Sequence, residues 1–338
     1  MNGYPVSSTI NTEDLQDTKD RIFFVVGTSR SGSTLLQSML SSHSEMVIPP
    51  ETHFFHSYEF LNRKFESDSS ESFRERLLRF WYSGKTRIKD LGLDEKAVSE
   101  QAKELDLKTP EELFTLQLTM YRKERGKKMI GEKTPRHIMQ VKEILKVYPK
   151  AKFISMFRDP RAAAWSEIKA HFGSPSVLVT TRRWREYVNM HEQLSSQLTD
   201  KQYMMLRYQD LIDDSEGMLK QICAFLGVNF EEQMLEYYKR DEKGFAEGEK
   251  SWKKGTLKPI QKDKNEEWKS KLTKWQISLV ESMAGKNLQK MNYEKSGESL
   301  SFPKKLFYQC VDFSRSIWAT LTNARYEGYK NPRKGKFK

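Results

Sequence analysis

The stretch Gly27-Thr28-Ser29-Arg30-Ser31-Gly32-Ser33-Thr34, "GTSRSGST", lies between the apolar run "RIFFVV" and the segment "LLQSMLSSH". It follows the spacing G-x-x-x-x-G-K-[ST] at every position but one, because Ser33 stands where that phosphate loop carries its lysine. The apolar residues Ile22 to Val26, rich in β-branched and aromatic types, predict a buried strand, and Leu35, Leu36, Met39 and Leu40 recur at helical spacing. Strand, loop and helix in that order point to an α/β fold: three layers with a central parallel sheet and helical insertions. Backbone N–H groups of a glycine-containing turn at a helix N-terminus attract anions, so Ser29, Arg30, Ser31, Gly32, Ser33 and Thr34 are candidate ligand-binding residues. Without the lysine that bridges β- and γ-phosphates, transfer of a γ-phosphate is disfavoured. The competing reading is a serine-rich helix start that caps itself.

Further along, "HIMQVKEILKVYP" predicts an amphipathic helix, "AKFISMF" a second buried strand and "YMMLRY" a third, with helices over "RAAAWSEIKAHFG", "RRWREYVNMHEQLSSQL" and "SEGMLKQICAFLGV". Residues 1–20 are polar and read as a mobile leader. Residues 21–295 form one domain, in which about 50–126 is a helical, aromatic-rich insertion on the acceptor side, its aromatics core or pocket lining. The Lys- and Gly-rich region from Lys239 to Asn265 reads as a loop. Residues 296–338 are a basic amphipathic tail in which Leu306, Phe307, Cys310, Val311, Ile317, Trp318 and Leu321 recur at helical spacing. Such a helix can lie on an anionic membrane surface, pack on its own domain or pair with a second subunit in a homodimer.

The chain of 338 residues is 37% hydrophobic and 12% aromatic, enough for a sizeable core. No run approaches the roughly 18 apolar residues of a membrane span, and "MNGYPVSSTINTEDLQDTKD" lacks the basic start and apolar core of a secretory signal, so a cytoplasmic protein is expected. The two cysteines, Cys223 and Cys310, suit a reducing compartment. Of the net charge of +12, the last 36 residues carry +7, nine Lys/Arg against two Asp/Glu. The body is therefore only mildly basic, which fits a multiply anionic small ligand rather than nucleic acid.

In "FISMFRDPRAAAWS", Arg158 follows a strand end and Ser166 follows it by eight residues, about two helical turns. Both can address one phosphate, the guanidinium through a bidentate fork and the hydroxyl through a further donor. The alternative pairs Arg158 with Asp159 or Asp210.

A phosphate loop without lysine, then an Arg and a Ser eight apart after a later strand, resembles the sulfotransferases that use 3′-phosphoadenylyl sulfate. "PPETHFF", "GEKTPRH", "LRYQDLI" and "GTLKPI" fall in the order seen in tyrosylprotein sulfotransferases and their bacterial relatives, over about residues 21–293. The resemblance implies that the first loop grips the 5′-phosphosulfate and that Arg158 with Ser166 grips the 3′-phosphate. It implies sulfuryl transfer to an acceptor hydroxyl or amine, release of 3′,5′-ADP and no required metal. Glu51 takes the place of the catalytic base, with a pKa raised by a partly desolvated cleft, and His53 is its rival. Lys133 faces the bridging oxygen of the leaving group, a task Arg30 could share. Arg136, Tyr208 and Lys258 are expected near the site, as are Ser251 and Trp252. The acceptor stays open among small-molecule, lipid, carbohydrate and peptide hydroxyls. Two other readings stand beside this one: an ATP-dependent kinase with a degenerate loop and Asp159 as its metal ligand, and a non-catalytic nucleotide- or membrane-binding protein.

Overall fold

The structure, a computed structural model, describes residues 9–56, 71–170, 173–239 and 258–322. Five parallel strands form its centre: β1 (Phe23–Gly27), β2 (Met46–Val47), β3 (Met129–Lys133), β4 (Lys152–Phe157) and β5 (Tyr203–Arg207), in the spatial order β2-β3-β1-β4-β5. The register sets Val25 beside Lys133 and Gly27 beside Met156, so the strands end along one carboxyl edge. Because β1 is flanked by β3 on one side and β4 on the other, the order reverses there, the place where open α/β sheets leave a ligand crevice.

Alternation along β1 divides the core in two. Phe24 and Val26 join one buried cluster while Phe23 and Val25 join the other, as expected of a strand covered on both faces. The covering helices are α1 (Thr12–Arg21), α2 (Ser33–Ser41), α3 (Glu71–Phe80), α4 (Glu95–Glu104), α5 (Pro110–Glu124), α6 (Val141–Val147), α7 (Pro160–Lys169), α8 (Val177–Gln197), α9 (Tyr208–Asp213), α10 (Ser215–Leu226), α11 (Trp268–Lys271), α12 (Lys274–Ala284), α13 (Lys286–Lys290) and α14 (Phe302–Thr322). The three-layer α/β architecture expected from the sequence is the one observed.

The described aromatics of the insertion are mostly core. Phe54, Phe55, Phe73 and Trp81 are buried, and Phe54 stacks on Phe114 with centroids 4.0 Å apart. Helix α5 starts at a capping box, Thr109 with Glu112, with Pro110 at its first position.

Two expectations change. Of residues 1–20, read as a mobile leader, 12–20 belong to α1. Asn11 and Asp14 cap it reciprocally, Ile10, Leu15 and Thr18 are buried, and the Arg122 guanidinium donates to Asp17 over 2.6 Å. The helix "HIMQVKEILKVYP" begins as a 3-10 turn over Pro135–Gln140 and becomes α-helical only from Val141, since Pro135 fixes the entry.

Candidate active site

Residues at or just past the strand ends meet along the carboxyl edge. The loop after β1 needs glycine twice. Gly27 has φ +126°, and a Cβ there would sit 2.7 Å from the Met156 backbone nitrogen; Gly32 has φ +88°, and a Cβ would come within 2.5 Å of Tyr208 Cε2. Gly32 is the N-cap of α2, no side chain caps the helix, and its first turn holds no acid. Its terminal amides and dipole therefore face the loop, and the self-capping alternative is not what forms. Ser31 and Ser33 are buried, whereas Ser29, Arg30, Gly32 and Thr34 are half-buried. The hydroxyls of Thr28 and Ser31 are buried without a hydrogen-bond partner among the described residues. Buried hydroxyls left without a partner beside uncapped amides fit an anionic ligand.

Arg30, at φ +64°, donates from Nε to Ser166 Oγ over 3.0 Å. Ser166 thus meets the first loop directly. Arg158 leaves the end of β4 and donates from Nε to Asn265 Oδ1 over 2.8 Å and from an Nη to the Lys264 carbonyl over 3.1 Å. Its guanidinium lies 4.5 Å from the centre of the Tyr208 ring. Burial holds its pKa below the ordinary arginine value, with Arg30 nearby acting in the same direction. Neither carboxylate first considered as its partner is taken up by it: Asp159 receives a fork from Arg161 at 3.0 and 2.6 Å, and Asp210 one from Arg207 at 2.8 and 2.6 Å. Asn265, which no periodicity marked, thereby joins the site, held by its own donation to Gln209. Lys258 is exposed, and its carbonyl accepts from Tyr237 over 2.8 Å; Ser251 and Trp252 lie outside the described residues.

Glu51, past the end of β2, and Lys133, the last residue of β3, meet as an ion pair between Lys133 Nζ and Glu51 Oε1. The Lys133 side chain is fully buried, and His53 Nε2 lies 3.3 Å from Glu51 Oε2.

Behind the pair, Glu132 is fully buried and accepts from Thr52 Oγ1 at 2.8 Å and Thr134 Oγ1 at 2.7 Å, while its other oxygen is 2.9 Å from His137 Nδ1. Burial alone would raise the Glu132 carboxyl, but His137 and the two threonines hold it below its ordinary value. This cluster pins the Glu51-Thr52-His53 turn to the end of β3, with His53 forced to φ +54°. Arg136 hydrogen-bonds Tyr187 and lies near His56, whose imidazole is pushed down to about 4 by burial and by Arg136, His53 and His137.

An anion-attracting loop, two arginines and an ion-paired carboxylate thus share one edge. Such a set can hold a multiply anionic ligand while the carboxylate receives a proton. The family model described as the sulfotransferase family matches residues 23–232. An omega-hydroxy-beta-dihydromenaquinone-9 sulfotransferase of Mycobacterium bovis is 30% identical over 151 residues, 38% of each chain. A protein-tyrosine sulfotransferase of Drosophila melanogaster is 23% identical over 222 residues, 64% of this chain and 40% of that one. The chain therefore spans about two fifths of the length of these curated relatives. Among solved structures, the sulfotransferase domain of the Synechococcus PCC 7002 olefin synthase shares the fold at a TM-score of 0.53 and 21% identity, covering 84% of this chain and 98% of that domain. With the matched residues spanning both loops and the Glu51–Lys133 pair, the chain belongs to the sulfotransferase family.

Proposed function

We propose that this protein transfers a sulfuryl group from 3′-phosphoadenylyl sulfate to an acceptor hydroxyl, with Glu51 as the base. The observation that carries the proposal is the ion pair of Glu51 with the buried Lys133, set beside the uncapped start of α2. When bound, the donor supplies a sulfuryl group joined to its 5′-phosphate through a bridging oxygen. The residues fit it: the Gly32 cradle and the amides and hydroxyls of Ser29 to Thr34 suit the 5′ end. Arg158, stacked on Tyr208 and fixed by Asn265, suits the 3′-phosphate.

In this reading the Glu51 carboxylate takes the acceptor proton as the acceptor oxygen bonds to sulfur. Lys133 stabilises the charge that grows on the bridging oxygen as its bond to sulfur breaks, leaving 3′,5′-ADP. Lys133 contacts the base and would face the leaving group, so it can hand its attraction from one to the other as charge moves. Arg30 adds positive charge at the loop, with Ser166 holding its Nε. His53, in contact with Glu51, orients it and is the alternative proton acceptor.

The kinase reading is weakened by Asp159. Its carboxylate is occupied by Arg161 and by the first turn of α7, so it is committed to structure rather than presented to a metal. The acceptor is proposed as the hydroxyl of a small molecule or lipid, in line with the menaquinone hydroxyl named for the mycobacterial relative.

Thermal unfolding tests the donor. 3′,5′-ADP without metal at a hundred times its Kd should stabilise the fold by about 2.7 kcal/mol, and Mg-ATP should not. Stabilisation by Mg-ATP alone would replace this reading with phosphoryl transfer.

A further inference from the structure

Helix α14 is fastened to the body along one side only. Asp312 is buried at the start of α8, where it accepts from Ser176 Oγ and, over 3.1 Å each, from the amides of Val177 and Leu178. Tyr308 stacks on Trp275 with centroids 4.9 Å apart and planes within 4°. The other side is apolar and open: Phe302, Leu306, Phe307, Phe313 and Ile317 are exposed by 79, 54, 63, 60 and 47%. Five of the seven exposed large hydrophobic residues described are therefore on this helix, the others being Met139 and Met205. At about 100° per residue the five fall within an arc of about 140°, directed away from Asp312. A continuous exposed stripe of this kind marks a docking surface.

Charge selects the occupant. Lys304 and Lys305 stand on the two flanks of the stripe, and the sequence beyond the helix adds Arg325, Lys330, Arg333, Lys334, Lys336 and Lys338 against the single acid Glu327. Asp312, the one acid within the helix, is turned inward. A twofold pairing of two copies would bring these cations against their own kind, whereas an anionic lipid surface complements them.

We infer that α14 docks this protein on an anionic bilayer, lying in the interface plane with Phe302, Leu306, Phe313 and Ile317 in the headgroup–acyl boundary. The flanking lysines reach outward to lipid phosphates. No helix among the described residues is long and apolar enough to cross a membrane. The contact does not depend on the identity of the sulfuryl donor.

Co-sedimentation of the full chain with phosphatidylcholine vesicles, with and without phosphatidylglycerol, tests this. Binding should require phosphatidylglycerol and weaken as salt rises. The double variant Leu306→Glu/Phe313→Glu should lose at least about tenfold in partitioning. Its melting temperature and its shift with 3′,5′-ADP should stay unchanged, since both side chains face solvent. Equal sedimentation of variant and parent would overturn the inference, as would indifference to phosphatidylglycerol. So would light scattering in lipid-free buffer that finds a dimer which the double variant turns into a monomer, because the face would then belong to a second copy.

Discussion

Replacing Gly32 by alanine probes the anion cradle at its tightest point. At φ +88° an L-residue is strained, and the added Cβ would lie 2.5 Å from Tyr208 Cε2, inside any real contact distance. The backbone conformation costs about 1–2 kcal/mol. Displacing the Tyr208 ring adds about 1–3 kcal/mol, as overpacking does elsewhere. Lower entropy of the unfolded chain returns about 0.4–1 kcal/mol, so Gly32→Ala should destabilise by roughly 1–5 kcal/mol. Urea unfolding measures this. The steric share is isolated by repeating the change in a Tyr208→Ala background, where only the backbone cost less the same entropy return, about 0–1.6 kcal/mol, should remain. Because the displaced ring also stacks on Arg158, Gly32→Ala should weaken 3′,5′-ADP binding even where the protein remains folded. A variant within about 0.5 kcal/mol of the parent, or equal costs in both backgrounds, would refute the geometry of the cradle.

Asn265→Ala removes the acceptor that fixes Arg158 and should weaken 3′,5′-ADP binding about tenfold by calorimetry, with little change in the labelled-sulfate turnover at saturating donor. Glu132→Gln breaks the contacts to His137, Thr52 and Thr134 and should cost about 1–3 kcal/mol in urea unfolding at pH 7. Since the Glu132 carboxyl is held below its ordinary value of 4.5, the stability it contributes is full above that pH and is lost as pH falls through the lower folded value; the variant should lack this acid limb. Burial pushes the His56 imidazole from its ordinary 6.5 down to about 4 in the folded protein, so between those values the unfolded chain binds the extra proton and stability is lost as pH falls. His56→Asn should flatten that loss by about 1–2 kcal/mol, after allowing for solvent screening at a half-exposed ring, as read from urea midpoints at pH 6.5 and 4.5.

The parts of this fold that announce themselves do so through runs of like residues. Strands β1 and β4 are continuous apolar segments, and the helix after Pro160 follows from its residues. Strand β3 was not legible, because after Met129 and Ile130 it continues Gly131-Glu132-Lys133, residue types that rarely enter a buried strand. They are accommodated there only because each charge has a partner: Glu132 in His137 and the two threonines, Lys133 in Glu51. Helix α1 was hidden for a similar reason, its charged residues leaving only Leu15 and Thr18 as buried positions, with Asp17 anchored on Arg122. The residues of the first loop, Glu51, Lys133 and Arg158 could be singled out from motif order. Their mutual contacts could not, since the bond between Arg30 and Ser166 spans 136 residues and that between Arg158 and Asn265 spans 107.

The central claim is that Glu51 accepts the acceptor's proton during sulfuryl transfer. Transfer of labelled sulfate from 3′-phosphoadenylyl sulfate to an acceptor mixture, by the parent and by Glu51→Gln, measures it most directly. The account predicts a fall in turnover of about 10²–10⁴-fold for the variant, with its stabilisation by 3′,5′-ADP retained. A Glu51→Gln protein that transfers sulfate at the parent rate would contradict it.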